Sequence, residues 1–134
     1  MWIGKTYAEA ATRWHEHRLS ISRDADGELH AAQTTRIWDG SPDAGLPPMC
    51  PSGGPSWGVY QITDKARFVD GILHVWGVSV DRSSHSCGGD VIGYNLDSFT
   101  GRVSRDVYTA RNNDGEEAVN RPYHFRRISC TPDA

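Results

Sequence analysis

The chain has 134 residues, 37% hydrophobic and 10% aromatic with five tryptophans, which is enough to bury one core and too apolar for a disordered segment. Its 14 basic and 17 acidic residues sum to −3 and are interspersed, so no basic stripe predicts nucleic-acid binding and no acidic tail predicts a basic partner. Apolar runs stop at about four residues, far short of the roughly 18 to 20 of a membrane-spanning helix, and no signal-peptide core is visible. The expectation is one soluble domain over residues 1–134, cytoplasmic as it stands or exported if a leader was removed, with no membrane partner.

From the N-terminus, Thr6 and Glu9 have the spacing of a capping box, in which hydroxyl and carboxylate satisfy free backbone N–H groups. Tyr7, Ala10, Ala11 and Trp14 then share a helical face, which predicts a short helix over residues 7–16. A rival reading starts a strand at Arg13, because His15, His17, Leu19 and Ile21 alternate. Residues 18–23 and 28–38 flank Asp24-Ala25-Asp26-Gly27, a turn signal that predicts a hairpin. Residues 39–56 hold five of the seven prolines and admit no regular element, which makes this stretch either a functional flap or a disordered crossing.

Strand signals follow at residues 57–63, 66–69 and 71–80, separated by Thr63-Asp64-Lys65 and by the hairpin pair Asp70-Gly71. The third is apolar on both faces, as in a central strand. Residues 91–96 and 102–111 flank an expected turn at 97–101, and residues 123–130 alternate as a last strand. The fold class predicted is mainly β, α+β only through the one N-terminal helix: an antiparallel meander of seven or eight strands forming a small barrel or sandwich.

Three cysteines, Cys50, Cys87 and Cys130, lack zinc-knuckle spacing. They read as three thiols, or as a Cys87–Cys130 disulfide with Cys50 left over. The segment Gly93-Tyr94-Asn95-Leu96-Asp97-Ser98-Phe99-Thr100-Gly101-Arg102-Val103-Ser104, with a late strand ending at Cys130, resembles small uncharacterised bacterial β proteins, among them products of environmental integron cassettes. The resemblance covers residues 93–130 and implies export but no substrate.

The densest polar connection is residues 81–90, where His85, Cys87 and Asp90 are the catalytic candidates, with His85 as base and Cys87 or a serine as nucleophile. The competing reading is a solvated turn. His15 and His17 form a metal edge if extended, but no third ligand is evident, so no metal is expected. His74 reads as a hydrogen-bonded core histidine or a residue facing a ligand. With Trp57, Tyr60, Trp76 and Tyr94 it makes up the candidate ligand-binding set, core aromatics that would line an apolar pocket beneath the 39–56 loop. Phosphate loops, nucleophile elbows and Rossmann glycines are absent from the sequence, and no cofactor is expected.

These features favour a non-enzymatic β module that binds a small apolar molecule or a protein partner and forms a homodimer. The alternatives are a small enzyme built on residues 81–90, and an exported inhibitor or toxin-system component.

Overall fold

Side chains alternate in burial along almost every segment with strand propensity, and the chain closes on itself accordingly. The computed structural model describes residues 1–116 and 119–130. Its elements are β1 (Trp2–Ala8), a 3-10 turn (Glu9–Ala11), β2 (Arg13–Arg23), β3 (Leu29–Asp39), β4 (Gly58–Val69), β5 (Ile72–His85), β6 (Ser98–Ser104), β7 (Val107–Asn112) and β8 (Arg121–Arg127). Each strand pairs antiparallel with the next, and β8 returns to β1 through Trp2↔Arg127 and Ile3↔Arg126, giving a closed eight-stranded up-and-down barrel. Eight strands enclose a lumen that side chains can fill or that can hold one small ligand.

Up-and-down topology sorts the connections by length. Tight turns at residues 24–28, 70–71 and 105–106 lie at one end, where Asp70, Gly71 and Arg105 take the positive φ values that short hairpins demand. The 3-10 turn and residues 40–57, 86–97, 113–116 and 119–120 all lie at the other. The site described below is built there.

At the tight end the lumen is apolar. Trp2, Leu19, Leu73, Val75, Phe99, Tyr108 and Phe125 are buried and pack with Ala110 and Tyr123 into the main core. The rings meet edge-on or stacked, with Phe99 and Phe125 centroids 5.0 Å apart and Tyr108 and Phe125 5.4 Å apart. Gly101 is fixed by close approach: a Cβ there would sit 1.9 Å from the Thr109 carbonyl oxygen.

Several sequence expectations shift in detail. The predicted helix over residues 7–16 is reduced to the single turn Glu9–Ala11, and the alternation starting at Arg13 prevails. The reason is tertiary: Ala8 is buried in β1, while His17 and Leu19 continue the same inward face of β2, so a helix here would break a face that the barrel needs. Asp64 does not interrupt β4, because it points inward in phase with Tyr60, Ile62 and Ala66. Nor do residues 97–101 form a turn. Thr100 and Gly101 lie inside β6, residues 86–97 are irregular, and the turn falls at 105–106.

Candidate ligand site at the open end of the barrel

Residues 40–57 lie against the outer wall of β1–β3 rather than across the mouth. Tyr7 Oη donates to the Gly40 carbonyl at 2.9 Å, Trp14 Nε1 to Ser41 at 3.0 Å and Lys5 Nζ to Gly45 at 2.6 Å. These anchors project outward from β1 and β2, and they cover Trp38, which is 4% exposed although it too faces outward. Only the far end of the loop reaches the mouth, where Cys50 forms a disulfide with Cys87 and ties the loop to residues 86–97. This pairing replaces the expected Cys87–Cys130 bond and the three-thiol alternative, and it leaves Cys130 as the exposed free cysteine. Local sequence explains it: the Met49↔Pro55 bridge and the Cys50 N–H to Gly54 carbonyl bond fold residues 49–55 into a tight corner that presents Cys50.

The connection 86–97 dips into the lumen as a partial plug. Leu96 packs over Gly77, where a Cβ would come within 2.9 Å of the leucine side chain. The Tyr94 ring stacks on Tyr60 at 4.8 Å, and the Tyr60 hydroxyl donates to the Ile92 carbonyl at 2.8 Å. Asp97, 5% exposed, is held by the Tyr94 hydroxyl, by Gln33 Nε2 at 3.1 Å and by Asn112 Nδ2 at 2.7 Å. Burial raises its pKa while those three donors pull it down.

Beside it, the fully buried His17 is the centre of the polar network. Its Nδ1 lies 3.0 Å from Thr35 Oγ1 and 3.1 Å from Gln33 Nε2, and its Nε2 3.3 Å from the Tyr123 hydroxyl. An amide N–H aimed at Nδ1 places the ring proton on Nε2. Burial lowers its pKa to about 3, so the ring is neutral. Asp64 is the acidic group left unsatisfied: it is 5% exposed and neither of its carboxylate oxygens has a partner among the described residues. Burial, then the Asp97 charge, push its pKa up to about 7.

The first two inward residues of β2 complete the mouth. Arg13 lines a cavity of about 250 Å³ with Ile37, Trp38, Tyr60, Val91 and Ile92, and a second of about 120 Å³ with His15, Tyr94, Asn95 and Asp97. Arg13 Nε and His15 Nε2 are buried, and neither has a hydrogen-bond partner among the described residues. Burial, then the nearby His17, lower the His15 pKa to about 4. The mouth therefore presents one cationic fork and one neutral imidazole, both with unused hydrogen-bonding capacity. Such orphaned buried groups are rare in folded proteins, and each calls for an explanation.

The expected ligand set divides. Tyr60 and Tyr94 meet in the lumen. Trp57 lies outside the lumen, its ring 6.0 Å from Trp38 and with the Arg36 guanidinium 5.0 Å over it. His74 and Trp76 also face outward from β5, because Leu73 and Val75 take the inward positions. Of the catalytic set, His85 and Asp90 line the larger cavity, but Cys87 is in the disulfide and offers no thiol, and its N–H donates to His85 Nδ1 at 3.1 Å. His15 and His17 share the inner face of β2 with ring centroids 6.1 Å apart, and no cluster of three or more metal-ligating side chains exists among the described residues. Arg13, Ile37 and Asp97 were missed from the sequence. The alternation of residues 13–21 carried the signal for Arg13, since it places that arginine on the same face as Leu19.

No protein-family model, curated protein or solved structure matches the chain.

Proposed function

We propose that the protein is a non-enzymatic binding module that takes a small amphipathic molecule at the open end of its barrel. The head would be a carboxylate or similar acceptor seated on Arg13 and His15, and the short apolar body would lie against Ile37, Tyr60 and Ile92. The observation that carries this reading is the pair of buried, unpartnered nitrogens, Arg13 Nε and His15 Nε2, at the edge of a mixed cavity in which Ile37, Tyr60, Val91 and Ile92 stand beside the polar Asp39, His85 and Asp90. Arg13 makes no ion pair among the described residues, and a buried guanidinium nitrogen without an acceptor is costly unless one from outside meets it. The cavities, about 250 and 120 Å³, suit a ligand smaller than a typical drug. The Cys50–Cys87 bond supports residence in an oxidising compartment.

Calorimetric titration with octanoate, against octan-1-ol as the same chain without the charge, tests the proposal. Octanoate is expected to bind roughly ten-fold or more tightly than the alcohol, the usual worth of a hydrogen bond to a charged group. Equal affinity for the two, or binding of neither, would remove the assigned role of Arg13 and His15.

A further inference from the structure

The linear charge pattern hides an asymmetry that the barrel exposes. Outward positions alternate with lumen positions on every strand, so residues far apart in sequence share one wall. On the adjacent strands β4 to β7 those positions hold Lys65, Arg67, Arg102 and Arg111, all exposed, interleaved with threonine, serine and histidine. From Lys65 onward in β4, over Ile72–Trp76 of β5 and across β6, β7 and β8, no outward position of these strands carries a carboxylate. The nearby acids, Asp70 and Asp106, sit in the hairpin turns. Lys65, Arg67, Arg102 and Arg111 make no ion pair among the described residues. By contrast, on the wall formed by β2 and β3, Glu16 pairs with both Arg18 and Arg36.

The registers place these cations in an ordered array. Arg67, His74, Thr100 and Arg111 lie in one row across β4, β5, β6 and β7, and Lys65 and Trp76 form the row beside it. Strands are about 4.8 Å apart and alternate residues about 7 Å apart, so the row spans about 14 Å and Lys65 and Arg67 stand one extended nucleotide apart. Within the array the partly exposed rings of His74 and Trp76 lie with centroids 4.6 Å apart and planes tilted by 31°, and His74 is fixed by a 2.8 Å hydrogen bond between its Nε2 and Ser98 Oγ.

We infer that the outer wall of β4 to β7 is a docking surface for single-stranded nucleic acid, with the unpaired cations on phosphates and the His74–Trp76 pair as a base-stacking platform. Cations that follow the backbone together with aromatic faces for bases are what sequence-tolerant single-strand binding requires. The wall offers no helix or ribbon to enter a duplex groove. It revises the expectation of no nucleic-acid partner that the interspersed charges produced.

Fluorescence anisotropy with a labelled fifteen-mer of deoxythymidine tests the inference on the intact protein. Four unpaired cations on a single strand predict a log–log salt slope of about −3, or about fifty-fold weaker binding at 200 mM than at 50 mM salt. The triple substitution Lys65→Gln, Arg67→Gln and Arg102→Gln should flatten that slope to about −1, since one unpaired cation remains. Trp76→Ala should weaken binding roughly ten-fold at every salt concentration with the slope unchanged, and Trp76→Phe should restore most of it. Unchanged thermal midpoints establish that the variants fold. The inference is overturned by absence of binding at 50 mM salt, by binding that survives the triple substitution, or by heparin binding at matched charge with no response to Trp76→Ala.

Discussion

The tight end and the open end of the same lumen are built from the same alternation, yet they solve opposite problems. At the tight end, Leu19, Phe99, Tyr108 and Phe125 are fully or almost fully buried, and the polar atom among them, the Tyr108 hydroxyl, donates to the Leu73 carbonyl at 2.8 Å. Everything there is satisfied, so the region contributes stability and nothing is left over to bind with. At the open end the inward positions hold Arg13, His15, His17 and Asp97, and orphaned nitrogens remain where long connections converge. Burying ionisable groups without full partnership costs stability, and such groups persist where a ligand completes them. The contrast separates residues that hold the barrel from residues that use it.

Substitutions at the two ends should behave accordingly. The largest effect is expected at the tight end: Phe125→Ala removes a side chain that stacks on Tyr108 and meets Phe99 edge-on, and should cost about 3 to 5 kcal/mol in urea unfolding. Octanoate affinity of the folded fraction should not change. Next, replacing Cys50 and Cys87 together by serine opens a loop of 37 residues and should cost about 4 kcal/mol. Here binding should weaken as well, because the disulfide holds residues 86–97 over the cavity.

Asp64 tests the link between burial and charge. Its folded pKa of about 7 lies above the unfolded carboxylate value, so the folded chain holds the extra proton and stability falls as pH rises from about 4 to 7. His15 and His17 act in the opposite sense. With folded values near 4 and 3, they withdraw stability as pH falls below about 6.5. Asp64→Asn should therefore stabilise the protein by about 2 to 4 kcal/mol at pH 8 and by little at pH 4.5, an effect read from urea midpoints at the two values. An equal effect at both would place the Asp64 carboxyl in contact with solvent.

Much of this contrast was legible in the sequence, though unevenly. The mainly β antiparallel meander, the Asp24–Gly27 and Asp70-Gly71 hairpins and the irregular proline-rich stretch follow from period-two patterning and turn chemistry, which are local. The helix over residues 7–16 was over-read because a capping box and an apolar helical face are also local, whereas the demand that Ala8 and His17 point inward comes from distant strands. The site was harder still. Tyr60 could be named as an aromatic on a strand, but His74 and Trp76 differ from it only in parity, while Tyr94 and Trp57 lie in irregular connections. Parity depends on which face closes, a property of the whole barrel. Cys87 looked nucleophilic beside His85 because the sequence does not display the corner at residues 49–55 that delivers Cys50 to it.

The smallest expected change in stability belongs to Arg13, on which the proposed binding site rests. Arg13→Met keeps the length of the side chain and removes the unpartnered guanidinium, so the urea midpoint should shift by less than about 0.5 kcal/mol or rise slightly. Titrating octanoate into the native protein and Arg13→Met side by side is the most direct test that the open end is a ligand site. The account predicts binding to the native protein and at least roughly ten-fold weaker binding to the equally stable variant. Identical titrations for the two proteins would contradict it.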